Sequence, residues 1–189
     1  VRITSGDSRE FQPAWSPDGK WLAYVTWSTQ GGHIWKIRTD RRDTPQQLTR
    51  VPGYYRNPAW SPDGAKIAFE SYRDGNGEIY VMNADGTNQR RLTRSPGMDR
   101  APAWSPDGQK IVYTNWTDQT GSRLVIRNAA TGEERTIVES RGVIREPRFS
   151  NSGDLIAYRI MEPDPSFNAA DPETGLYIVD APGGTSRFL

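Results

Sequence analysis

Pro13-Ala-Trp-Ser-Pro-Asp-Gly19 is written again as Pro58 to Gly64 and as Pro102 to Gly108, and a fourth copy, Pro147-Arg-Phe-Ser-Asn-Ser-Gly153, keeps the frame. Successive copies stand 45, 44 and 45 residues apart. A fixed period of that length means one supersecondary unit repeated, because a single unit cannot bury its apolar face and neighbours must stack to do so. A second phrase keeps the same beat: Arg2-Ile3-Thr4, Gln47-Leu48-Thr49, Arg91-Leu92-Thr93 and Arg135-Thr136-Ile137 each stand shortly before a heptapeptide, and Arg187-Phe188-Leu189 falls in phase. Between these markers apolar residues alternate with period two, at Leu22 and Tyr24, Ile67 and Phe69, Ile111 and Tyr113, Ile156 and Tyr158, and then near Ile34, Ile79, Leu124 and Leu176. That period belongs to half-buried strands, and no stretch holds a helical one.

Each period divides into four strand-sized pieces, clearest in the second: Asn57 to Ser61, Lys66 to Ser71, Glu78 to Asn83 and Gln89 to Arg94. Four short antiparallel strands in such a repeat describe a propeller blade. Ser-Pro-Asp-Gly sits between the first two strands as hairpin chemistry: Pro62 presets φ, Asp63 bonds nearby backbone N–H groups, and Gly64 takes a positive φ. The turns Asn83-Ala-Asp-Gly86 and Arg73-Asp-Gly-Asn-Gly77 join the later strands. Trp15, Trp60, Trp104 and Phe149 hold one position on the innermost strands, where the sequence predicts that they fill the wedge between adjacent blades.

Composition narrows the function classes. Twenty-four Lys plus Arg against 23 Asp plus Glu leave a net charge of +1, so no global field argues for nucleic acid or an anionic membrane. The absence of Cys excludes disulfides and thiolate metal sites. No apolar stretch reaches membrane-spanning length, and the chain opens inside the repeat pattern at Val1 without a signal peptide, which reads as a fragment boundary. His33 is the only imidazole and has no recognisable partner. Gly-x-Ser-x-Gly and His-Glu-x-x-His are both missing, so the segment is expected to be non-catalytic and to carry neither zinc nor any other cofactor.

Pro13-Ala-Trp-Ser-Pro-Asp-Gly-Lys-Trp-Leu-Ala-Tyr24 and Glu78-Ile-Tyr-Val-Met-Asn-Ala-Asp-Gly-Thr87 resemble the WD40-like repeats of TolB-type β-propellers, over essentially the whole chain. Gly31-Gly-His-Ile-Trp35 and Thr49-Arg-Val-Pro-Gly-Tyr-Tyr-Arg-Asn-Pro58 resemble propellers attached to bacterial amidohydrolase-like proteins. Similar repeats accompany prolyl-oligopeptidase-type and tricorn-like proteases, so the resemblance implies binding or gating more than any one chemistry. It also implies a periplasmic or secreted setting. Propellers of this kind usually hold six to eight blades. The expected architecture here is all-β, one domain over 1–189, with blades at 12–49, 57–94, 101–139 and 146–189 and residues 1–4 as an additional outer strand. That surplus strand fits a segment of a larger ring, a half-propeller that pairs with a second chain into eight blades, or a four-blade ring with one frayed end.

Register puts Arg56, Arg100 and Arg145 two residues before the Pro of their repeats, with Phe11 at the equivalent place in the first. In a propeller these positions face a central mouth, where guanidinium groups would favour carboxylates or phosphates through forked hydrogen bonds, with an acidic peptide or a chain terminus as guest. Pairing with the adjacent acids Asp99 and Glu146 is the plainer alternative. Tyr54 and Tyr55 add amphipathic area at the same rim. The fourth repeat carries an insertion, Glu162 to Gly175, whose Glu162, Asp164, Asp171 and Glu173 could offer oxygen ligands but lack EF-hand spacing and are interspersed with prolines. Asp74, Asn76 and Glu78 read as a tight turn rather than a calcium loop. The expected role is thus a peptide- or protein-binding module acting through Phe11, Tyr54, Tyr55, Arg56, Arg100 and Arg145, without nucleic acid, membrane insertion or metal. Its alternatives are a substrate-gating propeller of a hydrolase and a fragment that self-assembles.

Overall fold

Each sequence period folds into one four-stranded antiparallel sheet in the computed structural model, which describes residues 9–28, 31–40, 44–51, 53–161 and 174–189. The first sheet holds β1 (Arg9–Trp15), β2 (Trp21–Ser28), β3 (Gly31–Arg38) and β4 (Gln46–Gln47), and the second holds β5 (Tyr55–Trp60), β6 (Lys66–Ser71), β7 (Glu78–Asn83) and β8 (Arg90–Arg91). The third contains β9 (Met98–Trp104), β10 (Lys110–Thr117), β11 (Gly121–Asn128) and β12 (Glu134–Ser140), and the fourth β13 (Val143–Phe149), β14 (Leu155–Met161), β15 (Gly175–Asp180) and β16 (Arg187–Phe188). Strand order follows chain order in every sheet. The architecture is all-β, as the alternation of apolar residues predicts. The outer strand expected at 1–4 and the insertion carboxylates Glu162, Asp164, Asp171 and Glu173 lie outside the described residues.

Two compact units result, Val1–Arg94 and Ser95–Leu189, each with two sheets. In the first, Ala23, Val25, Ile34 and Leu48 of one sheet bury against Tyr55, Ile67, Phe69, Tyr80 and Met82 of the next. Three of these rings form a row, with centroids 6.0 Å apart for Tyr55 and Phe69 and 5.7 Å for Phe69 and Tyr80. Three polar contacts pin the seam: Trp60 Nε1 donates to the Ala14 carbonyl at 3.1 Å, Gln89 Nε2 to that of Leu48 at 3.0 Å, and Lys36 Nζ to that of Ala84 at 2.8 Å. The second unit repeats the plan, with Val112, Leu124 and Ile126 packed on Ile144, Ile156, Tyr158 and Val179, and with Phe149 against the same cluster. There Arg135 reaches the Ala181 carbonyl at 3.1 Å.

The Ser-Pro-Asp-Gly turns are closed by a reciprocal side-chain device. In the second copy Ser61 Oγ donates to Asp63 Oδ1 at 2.5 Å, that oxygen accepts from the Ala65 N–H at 2.9 Å, and Ser61 Oγ accepts from the Lys66 N–H at 2.9 Å. Ser16 with Asp18 and Ser105 with Asp107 repeat the pattern at 2.6 and 2.5 Å. The fourth copy has Ser152 in place of the Asp, and Ser150 Oγ meets Ser152 Oγ at 3.1 Å. Its backbone turn survives, since the Gly153 N–H still reaches the Ser150 carbonyl at 3.0 Å. Asp74 and Glu78 are likewise engaged within their blade: Asp74 accepts from the Tyr80 hydroxyl, while Glu78 accepts from Arg91 at 2.6 Å, Thr93 at 2.5 Å and Asn76 at 2.9 Å. This supports the reading of Asp74 to Glu78 as a turn.

The wedge expected of the repeated aromatic holds for Trp60 and Phe149 and fails for Trp15, which is 61% exposed. The reason is directional. Within each unit the aromatic of the second blade packs on the blade before it, as Trp60 and Phe149 do, and among the described residues of the first unit no sheet precedes β1. Trp60→Ala should therefore lower unfolding free energy in a urea melt by about 3 kcal/mol, whereas Trp15→Ala should change it by no more than about 0.5 kcal/mol.

The turn carboxylates Asp18, Asp63 and Asp107 are held below the usual carboxylate value, first by the Ser hydroxyl and then by a backbone N–H. A depressed folded-state value means that this stabilisation is complete above the ordinary value of 3.8 and disappears as pH falls through the folded value. Thermal midpoints recorded downward from pH 5 should fall less steeply for the triple variant Asp18→Asn, Asp63→Asn, Asp107→Asn than for the parent chain.

Candidate functional site

The innermost strands do not run straight through their ladders. Pairing of β1 with β2 shifts between Phe11 and Ala14, and that of β5 with β6 between Arg56 and Ala59. β9 and β13 shift at the matching places, between Arg100 and Ala103 and between Arg145 and Arg148. At each shift sits one left-handed residue: Gln12, Asn57, Ala101 and Glu146 have φ of 51°, 50°, 51° and 52°. All four precede the first Pro of the repeat. Proline brings no N–H to the ladder, so pairing is interrupted there in any case and a bulge forms, bending the strand and re-aiming the side chains around it. Phe11, Arg56, Arg100 and Arg145 are the last residues in register before the bulges, opposite Val25, Glu70, Thr114 and Arg159.

In the first unit the bulges border a cleft of about 390 Å³. Arg9, Phe11, Val25 and Trp27 form one side, and Tyr55 and Arg56 the other, with Gln12 also lining it. The two bulge residues are clamped together: Gln12 Nε2 donates to Asn57 Oδ1 at 2.8 Å, and the Asn57 N–H donates to Gln12 Oε1 at 3.0 Å. Asn57 Nδ2 extends the chain to the buried Glu70 carboxylate at 2.9 Å. Among the described residues neither Arg9 nor Arg56 makes an ion pair. Glu10, next to Arg9, alternates to the other face, where burial and then its charge push the Tyr24 phenol up to about 12.

Tyr54 and Tyr55, expected together at the rim, part by strand alternation. Tyr54 is 51% exposed, with its ring 4.9 Å from Trp27 and 6.5 Å from Tyr72. Tyr55 is buried in the core: its hydroxyl donates to the Val51 carbonyl at 2.8 Å, its ring stacks on His33 at 6.0 Å, and burial raises its pKa. His33 has partners in Tyr55 and in Thr49 Oγ1, 3.5 Å from Nδ1.

Phe11 and Arg56 thus share one cleft, while Arg100 and Arg145 belong to the second unit. Both of the latter are half-buried and engaged by neighbouring groups, Arg100 donating to Met98 Sδ at 2.7 Å. The adjacent acids also have partners: Glu146 lies 3.7 Å from Arg159, and Asp99 accepts from Asn115 at 2.7 Å and Ser95 at 3.2 Å. Arg9, Gln12, Val25 and Trp27 were not singled out from sequence. Period-two alternation from Phe11 could have placed Arg9 on the same face, and Trp27 is its partner across the ladder. Among the described residues no cluster of His, Cys, Asp or Glu is placed to hold a metal ion.

The Gln12 and Asn57 clamp ties the two sheets together beside the cleft, so its loss should be felt in stability. Asn57→Ala removes two side-chain hydrogen bonds, one of them a donor to the buried Glu70 carboxylate, and leaves the backbone N–H bond to Gln12. The expected cost in a denaturant melt is about 1–3 kcal/mol.

A profile described as the TolB beta propeller domain (PD40) matches residues 1–176. Among solved structures, TolB from Acinetobacter baumannii is 24% identical and superposes with a TM-score of 0.82 over 99% of this chain and 45% of its own. A puromycin-hydrolyzing peptidase of Mycobacterium tuberculosis is 17% identical, with a TM-score of 0.78 over 100% of this chain and 29% of its own. Oligogalacturonate lyase from Vibrio parahaemolyticus is 16% identical, with a TM-score of 0.70 over 99% of this chain and 55% of its own. The chain therefore spans less than half of the TolB structure it resembles. No curated protein matches it in sequence.

Proposed function

We propose that this chain, which belongs to the TolB beta propeller domain family, is a recognition module that seats a peptide or protein segment in the cleft of its first unit. The observation that supports this reading is an aromatic wall, Phe11 and Trp27 with Tyr54 at its edge, beside two guanidinium groups that lack acid partners among the described residues. Exposed guanidinium groups grip a carboxylate through two parallel hydrogen bonds. Aromatic rings supply contact area at little entropic cost, and the two together are the chemistry of interface anchors. The volume of about 390 Å³ suits one or two side chains rather than a flat protein face. An acidic residue or a chain terminus beside an apolar side chain is the guest that fits.

The likeness in fold to a peptidase, of whose chain this one spans 29%, favours a second reading in which the same cleft filters substrate for a catalytic domain. Both readings require the cleft to bind peptide. Fluorescence anisotropy with labelled octapeptides, acidic against basic and free against amidated at the C-terminus, tests it. Acidic peptides should bind better, and Arg56→Ala and Phe11→Ala should each weaken binding by about tenfold or more with the thermal midpoint held. Binding that ignores both substitutions, or no binding by any peptide, would overturn the reading.

A further inference from the structure

The face of the first sheet that meets the second carries its side chains in rows across the ladder. Arg9, Trp27 and Gly32 pair in one row, and Phe11, Val25 and Ile34 in the next. The first row is uneven: a guanidinium, an indole and then no side chain at all. A Cβ on Gly32 would stand 2.8 Å from Trp27 Cε3 and 3.0 Å from its Cζ3, so the indole lies over the glycine and takes the space that a side chain there would fill. Tyr54, the residue before β5, leans on the same indole with ring centroids 4.9 Å apart. The Gly32 N–H donates to the Gly53 carbonyl at 3.1 Å, which ties the strand under the indole to the segment that carries Tyr54. Trp27 is thus held from two directions and still lines the cleft.

The row also sets a short distance between charge and ring. Residues directly opposite in a ladder have Cβ atoms about 5 Å apart, so Arg9 and Trp27 offer a cation and an apolar surface side by side, with Arg56 across the cleft. An acidic residue inside a peptide matches this poorly. Neighbouring side chains of an extended strand point to opposite faces, and the next one on the same face is about 7 Å further on. A cleft of about 390 Å³ has room for one or two side chains only. The last residue of a chain escapes the conflict, because its carboxylate and its side chain leave the same Cα.

Resting on the reading of this cleft as a peptide site, we infer that its guest is a free C-terminal residue with a large apolar side chain. The α-carboxylate is held by Arg9 and Arg56, and the side chain packs on Trp27. Gly32 is a positioning residue that acts only through the indole: by having no Cβ it lets the ring lie flat against β3 and leaves the space in front of it to the guest.

Fluorescence anisotropy on the full chain tests this with octapeptides labelled at the N-terminus and otherwise uncharged. One ends in Phe with a free carboxylate, a second is its amide, a third ends in Ala with a free carboxylate, and a fourth is amidated and carries an internal Glu-Phe pair. The first should bind about tenfold tighter than each of the others. Arg9→Gln should erase the preference for the free carboxylate over the amide. Gly32→Ala should erase the preference for Phe over Ala while keeping that for the carboxylate, and Trp27→Leu, which retains apolar bulk, should do the same. Uniform weakening of all four peptides by Gly32→Ala, the mark of a merely structural role, overturns the inference. So does a Phe preference that survives Trp27→Leu, or an internal Glu-Phe pair that binds as tightly as the free terminus. In those cases, and where acidic octapeptides bind but these do not, the cleft remains a peptide site without selecting a terminus. Binding by no peptide of either set removes both readings.

Discussion

A four-stranded blade has two faces and enough apolar residues to need both covered, and this requirement governs the chain. Neither sheet of a unit could keep Ile34, Leu48, Phe69 and Tyr80 from water alone, because an isolated twisted sheet leaves one broad face wet. Seated together they form a dry seam of stacked rings and aliphatic side chains. The few polar atoms at the seam have partners: the Trp60 indole N–H, the Gln89 amide and the Lys36 ammonium all end on backbone carbonyls of the facing sheet. Lys36 is the most demanding of these, since burial lowers its pKa and its ammonium sits over the Trp21 ring at 4.5 Å. Hydrogen bonding and cation–π attraction offset part of that desolvation.

The turns obey a more local rule. Ser-Pro-Asp-Gly encloses its own hydrogen bonds, so the same heptapeptide folds alike wherever it occurs and needs little from its surroundings. The fourth copy shows which part is dispensable. Losing Pro and Asp leaves the backbone hydrogen bond in place, because glycine at φ 81° still accommodates the bend. The carboxylate adds stability to a geometry that the main chain already prefers.

Sheet number, strand order and hairpin chemistry were legible in the sequence because each depends on residues close together in the chain and recurs with the repeat. The positions of Phe11, Arg56, Arg100 and Arg145 were legible for the same reason, as a shared register. What the repeat could not convey was context. Trp15 and Trp60 look alike in sequence, but a wedge needs a neighbour on the correct side. Tyr54 and Tyr55 are adjacent and yet face opposite ways, a consequence of where β5 begins. The cleft itself is a product of two bulges and of an amide clamp, Gln12 on Asn57, whose partners stand one full repeat apart. Nothing in the periodicity marks that pairing, although Gln12 and Asn57 hold the same slot in successive copies.

That slot has a wider meaning. Four different side chains, Gln12, Asn57, Ala101 and Glu146, occupy one unusual backbone conformation without altering the sheets around them. The missing proline N–H leaves the ladder open at that point in every copy, and the left-handed φ recurs there whatever side chain is present. Backbone conformation is consequently shared by the four copies at this position, while what the side chain holds differs from blade to blade. A constant bulge thus carries a variable side chain, and in the first unit that side chain has become a tether between successive blades.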